Sequence, residues 1–129
     1  MSTLALEHIN ITVPDAKATA ERLCKLFDWH VRWEGSSHAG QGHSTHVGTD
    51  SYYLALYSPL EGKMTAPQNS YLQKAGLNHV GLTVDDIDDM EKRVLAAGYT
   101  PNNHGDYEPG RRFYFEDEDG IEFEIVSYN

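Results

Sequence analysis

Two histidines occupy the same place in two nearly identical stretches of the chain. Residues 6–15 read LEHINITVPD and residues 77–86 read LNHVGLTVDD, with a constant offset of 71 residues. The offset makes His8 and His79 equivalent. Since the two stretches form an internal repeat, a pseudo-twofold axis would relate the two imidazoles, and we expect them to converge.

A carboxylate from the last predicted strand would complete a site for a divalent metal ion. Glu122 and Glu124 lie on the polar face of that strand. Two imidazoles and one carboxylate bind Fe, Mn, Ni or Zn and leave coordination positions for substrate or water. The alternative is that each histidine is an ordinary surface or hydrogen-bonded residue. The spacing of the histidines along the sequence does not decide between the two.

The elements that must position these side chains repeat as well. Each His-bearing stretch alternates polar and apolar residues, which predicts a half-buried strand. The polar faces carry His8, Asn10 and Thr12 in the first copy and His79, Gly81 and Thr83 in the second. Each strand runs into an acidic residue that can cap a helix. These are Asp15 in the first half and Asp85 or Asp86 in the second, where the helix should end at Gly98.

Short β-like runs follow each predicted helix. They cover residues 30–34, 43–48, 52–58, 112–116 and 121–127, with a weaker one near Thr100. Each half is therefore strand-helix-strand-strand-strand. The sequence predicts an α+β fold of two repeated βαβββ modules that form a curved mixed sheet with a concave metal or ligand cleft. We expect one domain over 1–129, with module 1 at about 4–58, a connection at 59–76 and module 2 at about 77–128.

The composition of the chain indicates which kinds of molecule it could bind. The chain has 129 residues and a formal net charge of −10, which argues against nucleic acid or an anionic membrane as partner. Cys24 is the single cysteine, so no internal disulfide can form and a reducing cytoplasm is expected. No leader or long apolar run is evident. A small-molecule substrate is the expected partner.

The pattern resembles the vicinal oxygen chelate superfamily, which includes glyoxalase I, ring-cleaving extradiol dioxygenases, fosfomycin-resistance enzymes and bleomycin-resistance proteins. The resemblance rests on LEHINITV, LNHVGLTV and the closing FYFEDEDGIEFE at 113–124, and it covers nearly the whole chain. It implies that His8, His79 and Glu124 are the metal ligands. The implied cofactor is a divalent ion, with Fe²⁺ favoured over Mn²⁺, Zn²⁺ or Ni²⁺.

The chain departs from the glyoxalase I pattern at two positions. Glyoxalase I-like enzymes carry a fourth ligand, a Glu, where this chain has Ala55, or Tyr53 under a strict 71-residue shift. Thr12 matches the Arg with which such enzymes hold glutathione. The four-ligand isomerase site is thus incomplete, and lactoylglutathione lyase activity is not expected.

The resemblance also points to Tyr114, ten residues before Glu124, as a hydrogen-bond donor to the substrate. Tyr114 and Glu124 are therefore the expected catalytic residues. They share a face only if the hairpin loop between them has an odd number of residues. The same parity directs Arg112 inward, towards an anionic substrate, unless it pairs with the acidic run at 116–119.

The expected substrate-binding residues are Asn10, Thr12, Arg112 and His104. His104 lies about one residue too far upstream for the histidine of the dioxygenase pattern, and it is either a loop histidine or a base near the site. The stretch HGDYEPGRR at 104–112 is punctuated by Gly and Pro, which favours a lid loop.

Two functions fit these observations. The first is a divalent-metal-dependent small-molecule enzyme that chelates vicinal oxygens of its substrate, dioxygenase-like or lyase/isomerase-like. The alternative is a metal-free drug-binding protein of the bleomycin-resistance type. By resemblance a homodimer is implied, often with His8 of one subunit meeting His79 and Glu124 of the other, and whether modules pair within or between chains stays open.

Overall fold

Each half of the chain folds into one helix packed on a four-stranded sheet. The computed structural model describes residues 3–37, 42–60 and 64–129. The chain divides into two compact units, Met1–Thr65 and Ala66–Asn129. No helix in the described part of the chain is long and apolar enough to cross a membrane.

The first unit has the order strand, helix, strand, strand, strand. Its elements are β1 (His8–Thr12), α1 (Ala16–Phe27), β2 (His30–Ser36), β3 (Gly42–Gly48) and β4 (Tyr53–Pro59). The strand order in the sheet is β1-β4-β3-β2. β1 runs parallel to β4, and the other neighbours are antiparallel.

The second unit repeats this arrangement. A 3₁₀ helix at Ser70–Leu72 comes before β5 (Val80–Thr83), α2 (Ile87–Ala96), β6 (Asn102–Tyr107), β7 (Gly110–Glu116) and β8 (Glu122–Ser127). The strand order is β5-β8-β7-β6, with β5 parallel to β8. The shared topology confirms the predicted α+β fold and its two βαβββ modules.

The helices begin at the predicted acidic caps. The Asp15 carboxylate accepts a hydrogen bond of 3.1 Å from the backbone N–H of Ala18. In the second unit Asp86, rather than Asp85, accepts one of 3.0 Å from the N–H of Asp89. These side chains satisfy backbone donors that have no partner within the helix. Gly98, at φ 95°, ends the second helix as predicted.

Each helix buries one stripe of side chains against its own sheet. In α1 the stripe is Ala16, Thr19, Ala20, Leu23 and Leu26. In α2 it is Ile87, Met90 and Val94. Phe113, Phe115, Phe123 and Ile125 are fully buried in the second sheet. In the second unit Phe113, Phe115, Phe123 and Ile125 therefore lie on the helix side of the sheet, which leaves the opposite face for Tyr114 and Glu124.

The stretch at 104–112 forms a hairpin and is not a lid loop. β6 and β7 are antiparallel and extend through most of it, with Tyr107 paired to Gly110. Only Glu108 and Pro109 lie between the two strands. Gly and Pro occur here because they form a tight turn, and the prediction of a lid loop was wrong.

The connection between the modules contains a turn held by side chains. Within its described part, the Asn69 side chain accepts a hydrogen bond of 3.0 Å from the N–H of Tyr71. Asn78 donates one of 3.3 Å to the Ser70 hydroxyl. Gly76 packs so closely that a Cβ there would lie 2.2 Å from the Ser70 carbonyl oxygen. Residues 61–63 of the predicted connection lie outside the described residues.

Two strand glycines give a matched test of backbone packing. A Cβ at Gly48 would lie 2.3 Å from the carbonyl oxygen of Tyr52, whereas a Cβ at Gly81 would have no heavy atom within 4 Å. Gly48→Ala should lower the free energy of unfolding by about 1–3 kcal/mol because backbone has to move. Gly81→Ala should leave it nearly unchanged. Urea denaturation followed by tryptophan fluorescence measures both, and equal losses would contradict the packing described here.

Candidate functional site

Four of the predicted residues of the second module, His79, Arg112, Tyr114 and Glu124, meet on the sheet face that points away from α2. β8 is central, and Glu124 pairs with Gly81 of β5 on one side and with Tyr114 of β7 on the other. Side chains alternate along a strand, so Glu124 points away from buried Phe123. The loop at 117–121 has five residues. This odd number meets the condition for Tyr114 and Glu124 to share a face.

Glu124 carries a nearly buried carboxylate whose two oxygens have different partners. Oε1 lies 3.0 Å from Nε2 of His79, and Oε2 accepts a hydrogen bond of 2.8 Å from the Arg112 guanidinium. Glu124 is 9% exposed, so these groups take the place of water around its charge. Arg112 points inward as predicted, and it pairs with Glu124 rather than with the acidic run at 116–119.

His79 lies directly before β5 with both ring nitrogens next to side-chain oxygens. Its Nε2 faces Glu124. Its Nδ1 lies 3.4 Å from the Tyr71 hydroxyl and 3.7 Å from a carboxylate oxygen of Glu122. The ring also meets the ring of Tyr114 edge-on, with 5.5 Å between the centroids.

Tyr71 is a partner of His79 that the sequence did not reveal. Its hydroxyl donates a hydrogen bond of 2.7 Å to Glu122, a residue 51 positions away. This hydrogen bond raises the pKa of Tyr71. The residue lies in the 3₁₀ helix of a segment that the sequence marks only as a connection. No local pattern predicts such a contact, because it exists only once β8 and the connection have folded together.

Tyr114 is held as a hydrogen-bond donor next to Glu124. Burial raises the pKa of its phenol, and the negative charge of Glu124, which also accepts a hydrogen bond from it, raises this pKa further. The phenol therefore keeps its proton at neutral pH, and a protonated phenol can donate to an oxygen atom. The structure thus places Tyr114 beside Glu124, and its role towards a substrate stays a prediction.

In the first unit His8 has a tyrosine and a glutamate beside it as well. His8 pairs with Tyr53 across β1 and β4, and their rings stack with 4.8 Å between centroids. His8 Nδ1 lies 2.9 Å from Oε1 of Glu7, and the Tyr53 hydroxyl donates to the same oxygen at 3.2 Å. These hydrogen bonds, from His8 and then from Tyr53, lower the pKa of the Glu7 carboxyl.

An aromatic surface, formed by Trp33, His46 and Tyr53, continues across this face of the first sheet. The rings of His46 and Tyr53 stack at 4.6 Å, and the indole of Trp33 lies 5.0 Å from the ring of His46. Burial lowers the pKa of His46, so its ring is neutral at neutral pH. Trp33 is 49% exposed, and flat rings of this kind pack well against a flat ligand.

Strand register identifies the position of the missing fourth ligand. Asn10 pairs with Ala55, and Gly81, the repeat counterpart of Asn10, pairs with Glu124. Ala55, and not Tyr53, is therefore the counterpart of Glu124. The first unit presents a methyl group where the second presents a carboxylate. Asn10 and Thr12 are exposed on the same face as His8.

The structure does not bring His104 to Glu124 and its neighbours. His104 Nε2 lies 2.8 Å from the carboxylate of Glu91 on α2, and its ring stacks on buried Phe113 at 6.0 Å. His104 thus faces the helix side of the sheet. It also belongs to β6 and not to a loop.

A bulge in β6 explains the orientation of His104. Asn102 pairs with Tyr114, and regular pairing would then place His104 opposite Arg112 and on the same face. The register shifts after Asn102, and Gly105 takes that place. One extra residue reverses the alternation, and neither composition nor spacing marks its position.

The predicted three-ligand set is not assembled within either unit. Across residues 3–37, 42–60 and 64–129, no three His, Cys, Asp or Glu side chains are grouped so that they could hold a metal ion. The second unit supplies His79 and Glu124 in contact, and His8 belongs to the first unit. The set of His8, His79 and Glu124 stays a prediction.

Comparison with known proteins identifies the type of fold. A family model described as Glyoxalase/Bleomycin resistance protein/Dioxygenase superfamily matches residues 5–125. This confirms the resemblance to the vicinal oxygen chelate superfamily. Among curated proteins, none has a significantly similar sequence.

Solved structures of the same superfamily superpose on nearly the whole chain. A glyoxylase/bleomycin resistance protein/dioxygenase domain from Frankia sp. EAN1pec has a TM-score of 0.78 and 20% identity, covering 98% of this chain and 93% of its own. The fosfomycin resistance protein FosX from Mesorhizobium loti has a TM-score of 0.69 and 23% identity, with 97% and 92% covered. FosX from Listeria monocytogenes has a TM-score of 0.74 and 18% identity, covering 97% of this chain and 94% of its own. At these identities the likeness is one of fold.

Two neighbouring arginines test the charge balance around Glu124. Arg112→Met should lower the urea midpoint of unfolding clearly, because a nearly buried carboxylate loses its hydrogen-bonded cation. Arg111→Met should change it little, because the Arg111 pair with Asp88 is exposed. The double variant Arg112→Met/Glu124→Gln should recover most of the loss. Equal midpoints for the two single variants would refute the pairing.

Proposed function

The chain belongs to the glyoxalase/bleomycin resistance protein/dioxygenase superfamily, and from this premise we propose that it is a divalent-metal-dependent enzyme acting on a small molecule with two neighbouring oxygen atoms. One observation carries the proposal. His79 Nε2 and Glu124 Oε1 lie 3.0 Å apart on one face of the second sheet. An imidazole nitrogen and a carboxylate oxygen are donors that Fe²⁺, Mn²⁺, Zn²⁺ and Ni²⁺ all accept.

The partners of Glu124 fit a ligand carboxylate. Arg112 holds Oε2 at 2.8 Å, which leaves Oε1 on the side of His79. Metal-binding carboxylates commonly have their other oxygen hydrogen-bonded in this way. The low exposure of Glu124 limits competition from water. The donor set present in the second unit therefore fits two of the three proposed ligands.

His8 is the proposed third ligand. It is the repeat counterpart of His79, and Glu7 engages its Nδ1 at 2.9 Å, which leaves Nε2 on the far side of the ring. In the proposal His8 comes either from the same chain or from the partner subunit of a homodimer. Asn10 and Thr12 follow His8 on the same strand face, and we assign them to contacts with the substrate.

The metal would act as a Lewis acid and hold two substrate oxygens side by side. Fe²⁺ is favoured because two histidines and one carboxylate with open positions are typical of non-haem Fe(II) oxygenases. Mn²⁺ is the main alternative. One FosX structure from Listeria monocytogenes contains Mn(II) and 1S,2S-dihydroxypropylphosphonic acid, a molecule with hydroxyl groups on neighbouring carbons.

Protein side chains have separate tasks in this proposal. Tyr114 keeps its proton because burial and Glu124 raise its pKa, so it donates a hydrogen bond to a substrate oxygen as negative charge develops there. Arg112 orients Glu124 and adds positive charge for an anionic substrate. His104 is left out of the proposed site because it faces α2.

The type of reaction follows from the missing fourth ligand. Ala55 offers no oxygen where a glyoxalase I-like site needs a carboxylate. A dioxygenase-like reaction is therefore favoured, and a lyase- or isomerase-like reaction on an oxygen-rich substrate is the other branch.

Metal binding is tested by calorimetric titration with Mn²⁺ and anaerobic titration with Fe²⁺. The wild-type protein should bind about one equivalent. His79→Gln and Glu124→Gln should each weaken binding by more than about 100-fold, because loss of an outer partner alone already costs about 10–100-fold. His30→Gln is the matched control, since His30 pairs with exposed Asp50. Binding below about a tenth of an equivalent would refute the proposal.

Catalysis is tested by oxygen uptake of Fe²⁺-reconstituted protein with a panel of catechols. Tyr114→Phe should lower kcat by roughly 10²–10³-fold, as expected for loss of a donor to developing charge, and the loss should persist when Fe²⁺ is saturating. Tyr99→Phe should behave as wild type. Absence of uptake across the panel, with metal bound, would reject the dioxygenase branch and favour the lyase branch.

A metal-free binding protein is the second candidate. The aromatic surface of the first unit favours it, because exposed Trp33 and neutral His46 can pack on a flat ligand without a metal. Elemental analysis of natively produced protein separates the two candidates. A stoichiometric metal content supports the enzyme, and metal-free protein that binds planar drugs supports the binding function.

A further inference from the structure

We propose that a tyrosine–glutamate pair positions each candidate ligand histidine by engaging its Nδ1, so that its Nε2 is presented to the metal ion; this rests on the proposed function and deepens it. The pairs consist of a phenol hydrogen-bonded to a carboxylate, and each touches one imidazole. They are Tyr53 with Glu7 at His8, and Tyr71 with Glu122 at His79.

At His8 the chemistry of the partner determines where the proton lies. An ionised carboxylate only accepts hydrogen bonds. Glu7 Oε1 lies 2.9 Å from Nδ1, so Nδ1 has to carry the hydrogen. The Tyr53 hydroxyl donates to the same oxygen at 3.2 Å and fixes the carboxylate. The bond at Nδ1 sets the tautomer and leaves the lone pair at Nε2.

At His79 the oxygen atom that contacts Nδ1 belongs to the tyrosine and not to the glutamate. The Tyr71 hydroxyl is 2.7 Å from Glu122 Oε1 and 3.4 Å from Nδ1. The hydroxyl hydrogen therefore lies on the Glu122 side, and the phenol oxygen accepts from Nδ1–H. Glu122 Oε1 is itself 3.7 Å from Nδ1, and its negative charge favours a hydrogen on that nitrogen. Nε2 faces Glu124 Oε1 at 3.0 Å, so both ring nitrogens face hydrogen-bond acceptors in the metal-free protein, and a metal ion would replace the hydrogen at Nε2.

The two pairs are not a remnant of the duplication. In the repeat the counterpart of Glu7 is Asn78, and the strand counterpart of Tyr53 is Glu122. The second glutamate thus stands where the first unit has its tyrosine, and the second tyrosine comes from the connection. An oxygen atom therefore contacts Nδ1 in both units although it comes from non-equivalent positions, which duplication alone does not explain.

The fold holds Tyr71 in position for this contact. Asn69 caps the turn at the backbone N–H of Tyr71, 3.0 Å away. Asn78 ties the same turn to the His-bearing strand through Ser70, at 3.3 Å. Asn78 is the repeat counterpart of Glu7. It thereby supports Tyr71, which contacts Nδ1 of His79 as Glu7 contacts Nδ1 of His8. Metal-bound histidines in general have their other N–H held by an oxygen.

The first experiment observes the imidazoles directly in metal-free protein labelled with ¹⁵N-histidine. Wild type should show a proton on Nδ1 of both His8 and His79, protected from rapid exchange. Tyr71→Phe and Glu122→Gln should remove that protection at His79 only. Tyr53→Phe and Glu7→Gln should do so at His8 only. A merely structural role would not give this crossed pattern.

The second experiment measures Mn²⁺ affinity by calorimetry in the same four variants. Each should bind about 10–100-fold more weakly than wild type. Tyr99→Phe is the matched control, because its hydroxyl donates to Glu118 and the pair touches no candidate ligand. Tyr99→Phe should keep the wild-type affinity for Mn²⁺. The urea midpoints of unfolding are measured for all variants to confirm that each one folds.

The outcomes separate the inference from the proposed function. An Nδ1 without a proton in wild type, or losses in Tyr71→Phe no larger than in Tyr99→Phe, would overturn the positioning role. If the crossed NMR pattern holds and no variant or wild type binds metal, the proposed function fails and the positioning of the two rings stands.

Discussion

The charge of Glu124 is the constraint around which the second module is built. The residue lies on the central strand of its sheet and is nearly buried, so its carboxylate is stable only if neighbouring groups replace water. The guanidinium of Arg112 and the imidazole of His79 do this, one at each oxygen. Both can reach Glu124 because it has a strand on either side. A charge at an edge strand would have been solvated instead.

The two modules show how one backbone can carry different chemistry. Equivalent strands place Ala55 and Glu124 at matching positions, so one module is charged where the other has a methyl group. The first module instead carries the aromatic surface of Trp33, His46 and Tyr53. The duplication supplies two histidines in register, and the side chains around them have diverged.

Much of the fold could be predicted from the sequence because its signals are local. Alternation of polar and apolar residues predicted β1 and β5, and Asp15 marked the start of α1. Parity along β7 and β8 predicted that Tyr114 and Glu124 share a face on the condition that the turn between them has an odd number of residues, and the structure has five.

The remaining features depend on non-local events. A bulge in β6 turned His104 towards α2, and one extra residue in a strand leaves no compositional mark. Gly and Pro at 105–110 indicated a break in the chain without distinguishing a tight turn from a loop. Tyr71 acts on His79 through a tertiary contact with Glu122, so nothing near it in the sequence points to the site.

The central claim is that His8, His79 and Glu124 bind one cation. Anomalous diffraction from crystals of the Mn²⁺-treated protein tests it most directly. The account predicts a single strong anomalous peak in contact with both imidazoles and the Glu124 carboxylate, within one chain or across a dimer. A peak that His8 does not touch, or no peak at these side chains, would contradict it.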